Sequence, residues 1–486
     1  MILTTRRLAT SLLFIGLLAM ATRVAVDSDT FWHLRAGAWM VEHRQVLTHD
    51  EFTHTLAGQA WQYPAWLSEV LMYGLYTLGG YGALALFTTF FVVLAFAFVY
   101  ATCEGGVYLK AWVIILAATT SAVFWAARPH IITFALSAIT LYVLDLFRNK
   151  KVNHLWLLPV LMILWNNVHP GFAIGFILIG LTFGGEALKA LVAADRSAWS
   201  KPIWLAGCGL LCVGALFISP YGVSQLTFPF KTVSIGALQN YIQEWQSPNF
   251  HTREAQVFIG LGLAVLGAVG FSRRRLDLTD FLLLAAFTTL ALIAARNIAT
   301  FALIAAPILA RHSDSLISEM QERWPRLRAL LTSAPQRPAT QILNWALLIL
   351  VAAAALIKIA LPLNPQTTAQ AIAASAPVGA ANYLQTHPAP GKLFNSYNFG
   401  GYLTWALYPE YLIYVDGRTD LYGDEFLTEY LNAYQAGPGW PQTLAKYDIR
   451  IVLVETNAPI ARQLAQTPGW MVRYSDPLSV VLIKAP

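Results

Sequence analysis

Charge and cysteine are both scarce in this chain of 486 residues. Asp, Glu, Lys and Arg make up only 12% of it, against 57% apolar residues, a balance that no ordinary water-soluble domain uses and that places most of the chain in lipid. The three cysteines, Cys103, Cys208 and Cys212, all fall in or beside apolar runs, so the disulfide framework of a small secreted scaffold is excluded. Cys208 and Cys212 stand one helical turn apart but lack His or acidic neighbours, and they read as small core residues rather than zinc ligands. A dense basic block is missing too. The formal charge of +6 is spread between apolar runs, which points away from nucleic acid and towards topology signals. No internal repeat is visible.

What is present is a series of eleven apolar runs long enough, or nearly so, to cross a bilayer: 8–26, 81–102, 110–127, 131–147, 153–168, 171–192, 202–219, 255–271, 277–295, 297–311 and 341–362. Arg6 and Arg7 before Leu8 give the first run the look of a signal peptide. It extends to Val26 and opens directly into a polar segment, so it is read as a retained span. The loops alternate in Lys and Arg content. Arg6, Arg7, Lys110, Arg148, Lys150, Lys151, Lys189, Arg196, Lys201, Arg273, Arg274, Arg275, Arg311, Arg323, Arg326, Arg328 and Arg337 share one side, which the positive-inside rule makes cytoplasmic. The N-terminus is then inside and the C-terminus outside, as for a multi-pass protein of a bacterial inner membrane.

The outer face receives Asp27–Gly80, Arg128-Pro-His130, His169-Pro-Gly171, Pro220–Glu254, Arg296-Asn297 and everything after Leu363. Ala65–Leu78 is apolar enough to span, but counting it as a crossing would turn the Arg148–Lys151 cluster outward, so it is read as an interfacial helix. From 376 onward short β-rich runs, Tyr411–Val415, Ile449–Val454 and Val480–Ile483, alternate with helical stretches and indicate a small α/β unit. Two units follow: a membrane unit, 1–362, with the outer loop 27–80, and a soluble extracytoplasmic unit, 376–486.

Ionisable residues concentrate at the outer span ends. Asp27-Ser-Asp29-Thr-Phe-Trp-His33-Leu-Arg35 sets two carboxylates, an imidazole and a guanidinium directly after a span, a costly placement at that depth unless used. An Asp-x-Asp pair suits a divalent cation or a general base for an attacking hydroxyl. Arg128 with His130, Trp165–His169, and Arg296 with Asn297 sit in tight turns that would face the same outer cavity, where cations hold a phosphate and stabilise charge on a leaving group. Further along the first loop, His43, His49, Asp50, Glu51 and His54 match no compact zinc spacing and read as solvated; Trp61, Tyr63, Trp66, Ser68 and Glu69 read as an interfacial anchor, with Glu69 the residue that could join the site. The loop Ser219–Glu254 is long enough to form a lid and carries Tyr221, Lys231, Tyr241, Glu244, Trp245 and His251.

This layout resembles the GT-C membrane glycosyltransferases, and the chain is similar to bacterial relatives of protein mannosyltransferases and oligosaccharyltransferases. Asp27–Arg35 matches the kind of acidic first-loop motif found in that superfamily. Asn395-Ser-Tyr-Asn-Phe-Gly-Gly-Tyr-Leu-Thr-Trp405 and Tyr414-Val-Asp-Gly-Arg-Thr-Asp420 resemble the soluble domain that follows the spans in bacterial members. The Trp-Trp-Asp-Tyr-Gly motif of oligosaccharyltransferases is absent, with Tyr397-Asn-Phe-Gly400 a loose counterpart. The resemblance implies a polytopic α-helical fold of about eleven spans and transfer of a sugar from a polyprenyl-phosphate-linked donor to a hydroxyl-bearing glycan, lipid or protein. It implies Asp27 and Asp29 as base or ligands of a divalent cation such as Mg or Mn, and a substrate site from His33, Arg35, Glu69, Arg128, His130, His169, Glu244 and Arg296. Read alone, Gly400, Gly401, Asp416, Gly417, Arg418 and Asp420 are close-approach glycines and a strand-end charge pair. A transporter or flippase for lipid-linked glycans would place its polar groups at mid-bilayer, and a noncatalytic envelope scaffold would leave Asp27 and Asp29 dispensable.

Overall fold

The computed structural model describes residues 2–193, 195–233, 235–236, 242–324 and 338–485. Tyr241, Arg326, Arg328 and Arg337 lie outside the described residues.

Apolar runs become helices here because lipid offers the backbone no hydrogen-bond partners, so each segment must satisfy its own. All eleven expected spans fall on helices: Thr5–Ala21, the second half of Trp66–Thr102, Val107–Ser121, His130–Asn149, Leu157–Val168, Phe172–Ala193, Ser200–Ala215, Arg253–Phe271, Leu278–Ile293, Ile298–Arg323 and Pro338–Leu363. Six helices among the described residues are long and apolar enough to cross a membrane, while Leu157–Val168 and Leu278–Ile293 are apolar but shorter. The chain is a multi-pass membrane protein. Large apolar side chains such as Leu210, Leu263, Phe271 and Ile357 are exposed on the outside of the bundle, as a lipid-facing surface requires.

Ala65–Leu78 behaves as expected of a separate helix. The long helix Trp66–Thr102 is broken at Gly79 and Gly80, the latter at φ 60° and ψ −151°, a conformation a side chain would oppose. Its first half docks on the end of a span: Trp66 Nε1 donates to Asn167 Oδ1 at 2.9 Å, and Ser68 Oγ donates to the Val168 carbonyl.

The centre of the bundle is the helix Ile298–Arg323, buried continuously from Ile298 to His312. Alanines at 299, 302, 305, 306 and 310 let neighbouring backbones approach closely, the usual packing device between helices in lipid. The ends of the spans away from Asp27 and Asp29 are tied by charges. Arg148 pairs with Asp277 at 2.6 Å and Asp280 at 3.0 Å, and Arg311 pairs with Glu104 at 3.2 Å, Asp145 at 3.3 Å and Asp280. Arg148 and Arg311, expected from the sequence to mark topology, form a buried ionic clasp.

The C-terminal unit is a four-stranded sheet in the order β1-β2-β4-β3, where β1 is Lys392–Asn395, β2 Ile449–Glu455, β3 Trp470–Ser475 and β4 Ser479–Lys484. β1 runs parallel to β2; β2, β4 and β3 are antiparallel. Two of the three expected strands are present, and β1 and β3 are additional. Tyr411–Val415 is the exception: it is extended but joins no sheet, and pairs instead with the first outer loop, where Ile413 N donates to Phe52 O and His54 N to Ile413 O, both at 3.1 Å. Its β-branched and aromatic composition is that of a strand, and its partner lies 360 residues earlier in the chain, beyond the reach of local pattern.

Candidate functional site

The turn after the first span starts the helix Ser28–His43, and Asp27 caps it by accepting from the Asp29 N–H at 2.9 Å. This cap orients both carboxylates towards the turn that precedes His130–Asn149. There Arg128 meets them. Its Nε and Nη2 reach the two Asp27 oxygens at 2.5 and 2.8 Å, and its Nη1 reaches Asp29 at 2.9 Å. A bidentate Arg–carboxylate pair of this kind is strong and fixed in geometry.

The two aspartates therefore differ. Burial would raise the Asp27 carboxyl, but the Arg128 charge, its hydrogen bonds and the Asp29 N–H outweigh that and hold it below the usual carboxylate range. Burial pushes Asp29 up; Arg128 pulls it back, and the neighbouring Asp27 and Glu244 push again, so that it settles at about 7.

Asp29 lines a cavity of about 430 Å³ together with His33, Arg128, His130, His169, Glu244 and Arg296, so seven residues singled out in sequence converge from five separate turns and loops. Arg296 sits on the turn Ala295–Asn297, stacked over Trp245 at 4.3 Å and facing Glu244 at 3.6 Å. The segment carrying Glu244 and Trp245 is docked on that turn by Ala295 N donating to Gln246 O at 2.9 Å. Burial raises the Glu244 carboxyl, but Arg296 and Arg128 more than offset it and hold it low, in the anionic form. Lys231 lies in Phe228–Val233, outside the cavity wall.

The histidines of the wall are neutral, and His130 spends its N–H on the Phe124 carbonyl at 2.7 Å. Burial, and then nearby positive charge, push His33 and His169 well below the ordinary imidazole value. His169 Nδ1 accepts from Gly171 N at 2.9 Å and lies 2.9 Å from the Thr133 hydroxyl, so its proton belongs on Nε2. His33 Nδ1 is held 2.9 Å from Glu69 Oε1.

Three predicted site residues lie elsewhere than expected. Asp27 is behind the cavity, its oxygens committed to Arg128. Glu69 is also behind it, buried against His33. Arg35 is outside altogether, paired with Glu42 at 2.5 Å and stacked on Tyr408 at 5.0 Å. On a helix of 3.6 residues per turn Arg35 points about 120° away from Asp29, whereas Trp32 and His33, three and four residues on, share its face.

The C-terminal unit completes the wall with Tyr397, Asn398, Gly417, Thr419 and Asp420. The three glycines expected at close approaches are all at one: a Cβ on Gly400 would lie 2.1 Å from the Val415 carbonyl oxygen, one on Gly401 2.1 Å from the Ser28 carbonyl oxygen, and one on Gly417 2.1 Å from Asp29 Oδ1. Asp416 and Arg418 do pair, at 2.9 Å, but Arg418 also reaches Asp50 of the first outer loop at 2.7 Å, between the rings of Phe52 and Trp61. Asp50 is thus fully buried rather than solvated. Trp61 Nε1 adds a bond to Asp420 Oδ2 at 3.0 Å. The signal in sequence was the tight clustering of Tyr, Asp, Gly and Arg in 414–420, which indicates a special loop without naming its partner.

A cation finds no ready cage. Among the described residues no group of three His, Cys, Asp or Glu side chains converges to hold a metal ion, and Arg128 occupies the oxygens of Asp27.

No protein-family model matches the chain, and no curated protein matches its sequence. Solved structures do. It is similar to the archaeal oligosaccharyltransferase AglB from Archaeoglobus fulgidus, solved with an inhibitory peptide and a dolichol-phosphate, with a TM-score of 0.59 at 13% identity over 92% of this chain and 69% of that one. It is also similar to ArnT from Cupriavidus metallidurans bound to undecaprenyl phosphate, with a TM-score of 0.53 at 13% identity over 98% of this chain and 96% of that one. ArnT in the apo state gives 0.54 at 14% identity over 97% and 95%. The fold is that of the GT-C membrane enzymes.

Proposed function

We propose that the chain is a glycosyltransferase that moves a sugar from a polyprenyl-phosphate-linked donor to a hydroxyl-bearing acceptor at the outer face of a bacterial inner membrane. The observation that carries this is Asp29: a carboxylate tuned to about 7, facing a cavity that also presents Arg296 and the neutral His169, on a GT-C fold. The similar structures hold a dolichol-phosphate and undecaprenyl phosphate, which supports a polyprenyl phosphate as the donor class. The distribution of Lys and Arg supports the orientation, with the N-terminus cytoplasmic and the C-terminal unit outside.

In this reading the acceptor hydroxyl gives its proton to Asp29 as its oxygen attacks the anomeric carbon. The bond from that carbon to the phosphate oxygen breaks, and its electron pair leaves on the phosphate. Direct displacement needs no covalent intermediate and inverts the anomeric centre. A base with a pKa near working pH is ionised often enough to act and basic enough to accept the proton. Arg296 is the cation for the leaving phosphate, because its hold on Glu244 is long whereas Arg128 is committed to both aspartates. Arg128 and Asp27 position Asp29. No step is routed through a divalent cation; both oxygens of Asp27 are bonded to Arg128, and a requirement for a cation at Asp27 and Asp29 is a separate arm of the test.

The test is transfer of labelled sugar from a panel of polyprenyl-phosphate donors by the purified chain. Wild type should transfer, Asp29→Asn should lose at least about a hundredfold, and EDTA followed by added Mg or Mn reads the cation. Equal transfer by wild type and Asp29→Asn would remove Asp29 as the base.

A further inference from the structure

A second cavity of about 470 Å³ opens beside the first and shares Gln243, Tyr397 and Asn398 with its wall. That volume lies within the ordinary range of small-molecule sites, about 300–1,000 Å³. Its far side is built by the C-terminal unit alone, from Tyr434 and Gln435 at the end of one helix and Glu455 at the end of β2. Glu455 is held in place: its two oxygens accept from Ser396 Oγ and Tyr434 Oη, each at 2.8 Å. A carboxylate offers about four acceptor positions, so fixing it this way leaves lone pairs for a ligand.

The chemistry of this wall selects an occupant. Among the described residues no Lys or Arg lines it, so it has nothing to hold a phosphate or an acidic sugar. Carboxamides and a carboxylate interrupt it too often for a polyprenyl tail. A neutral sugar ring matches both halves: its C–H face packs on phenol rings, and its neighbouring hydroxyls pair with amides and a carboxylate.

We infer that this cavity is the acceptor subsite and that the acceptor is a neutral saccharide, seated on Tyr434, Gln435 and Glu455 with one hydroxyl passing Asn398 into the reaction cavity. The inference rests on the glycosyl-transfer reading and names the substrate class that reading leaves open. The hydroxyl that enters is the one whose proton goes to Asp29 as the new glycosidic bond forms and the bond to phosphate breaks. The soluble unit then chooses the acceptor, while the membrane unit holds the donor.

The experiment uses the full chain in detergent with mannotriose, maltotriose and triacetylchitotriose as probes and a Ser/Thr-containing peptide as the competing class. Binding is read by saturation-transfer NMR without donor, and transfer is read with a polyprenyl-phosphate donor. At least one trisaccharide should bind and be glycosylated. Glu455→Gln and Tyr434→Ala should each weaken binding about tenfold or more, the loss of one or two hydrogen bonds, and raise the acceptor KM in proportion. Gln435→Ala, a change at an exposed side chain, supplies a variant that will fold and should weaken binding in the same direction. Trisaccharides that neither bind nor accept while the peptide is glycosylated would overturn the inference, as would trisaccharide binding untouched by all three substitutions. Should wild type bind a trisaccharide in a Glu455-dependent way yet cleave no donor, the saccharide site stands and the transfer reading falls.

Discussion

Asp27 and Asp29 are two residues apart yet differ in state, because one is saturated by Arg128 and the other shares only one of its nitrogens. The pH dependence follows from the state of Asp29. Its carboxyl is raised to about 7, so the base form is lost as pH falls through 7; kcat/KM should drop about tenfold per unit below that point and level off above it. A pH profile of transfer checks this, and a rate flat from 5 to 8 would exclude Asp29 as the base. Arg296→Ala should lower donor kcat/KM by about a hundredfold, the scale of one lost charge-stabilising donor, with Arg296→Lys partly restoring it. Arg128→Ala should act differently: it frees Asp27 and Asp29 together, raises the apparent pKa of the base and shifts the acidic limb of the profile upward.

At the scale of elements, the decisive contacts join the first outer loop to the C-terminal unit. The helix Tyr397–Leu407 lies against Ser28–His43 through Gly401, Ile413 pairs with Phe52 and His54, and Arg418 is buried between Asp50 and Asp416. Arg418→Gln leaves two buried carboxylates without their cation, which costs about 3–5 kcal/mol when a buried pair is broken from one side. The expected result is early release of the C-terminal unit in limited proteolysis and a lower Tm. Gly417→Ala should leave the fold in place yet drive a methyl group into Asp29, with transfer reduced and thermal unfolding little changed. These contacts were not legible in sequence: Asp50 looked solvated and Tyr411–Val415 looked like a sheet strand, since each partner lies more than 350 residues away.

For the whole molecule, the placement of Lys and Arg predicts an inside N-terminus and an outside C-terminal unit. The three native cysteines are buried, so single cysteines introduced at Lys151 and at Asp448 can be labelled with little background. A membrane-impermeant maleimide applied to intact spheroplasts should label position 448 and spare 151; the reverse pattern would invert the topology. The clasp of Arg148 and Arg311 ties the spans at the end opposite the cavity. Arg311→Ala leaves Asp145 without its cation and Asp280 with Arg148 alone, and should lower Tm without touching the cavity at the other end of the spans.

Hydropathy alone determined the eleven helices and the separate segment before Gly79, because an apolar run in lipid must satisfy its own backbone hydrogen bonds, and charge alternation grouped the loops that converge on one cavity. The same reading named seven of the groups that line the reaction cavity, since ionisable residues at span ends are too costly to be incidental. Tertiary structure decided the rest. Which aspartate remains a free base depends on how Arg128 divides its nitrogens, and which face of Ser28–His43 looks inward depends on what packs against it. That the soluble unit closes the site depends on contacts between segments hundreds of residues apart, for which no local pattern carries a signal.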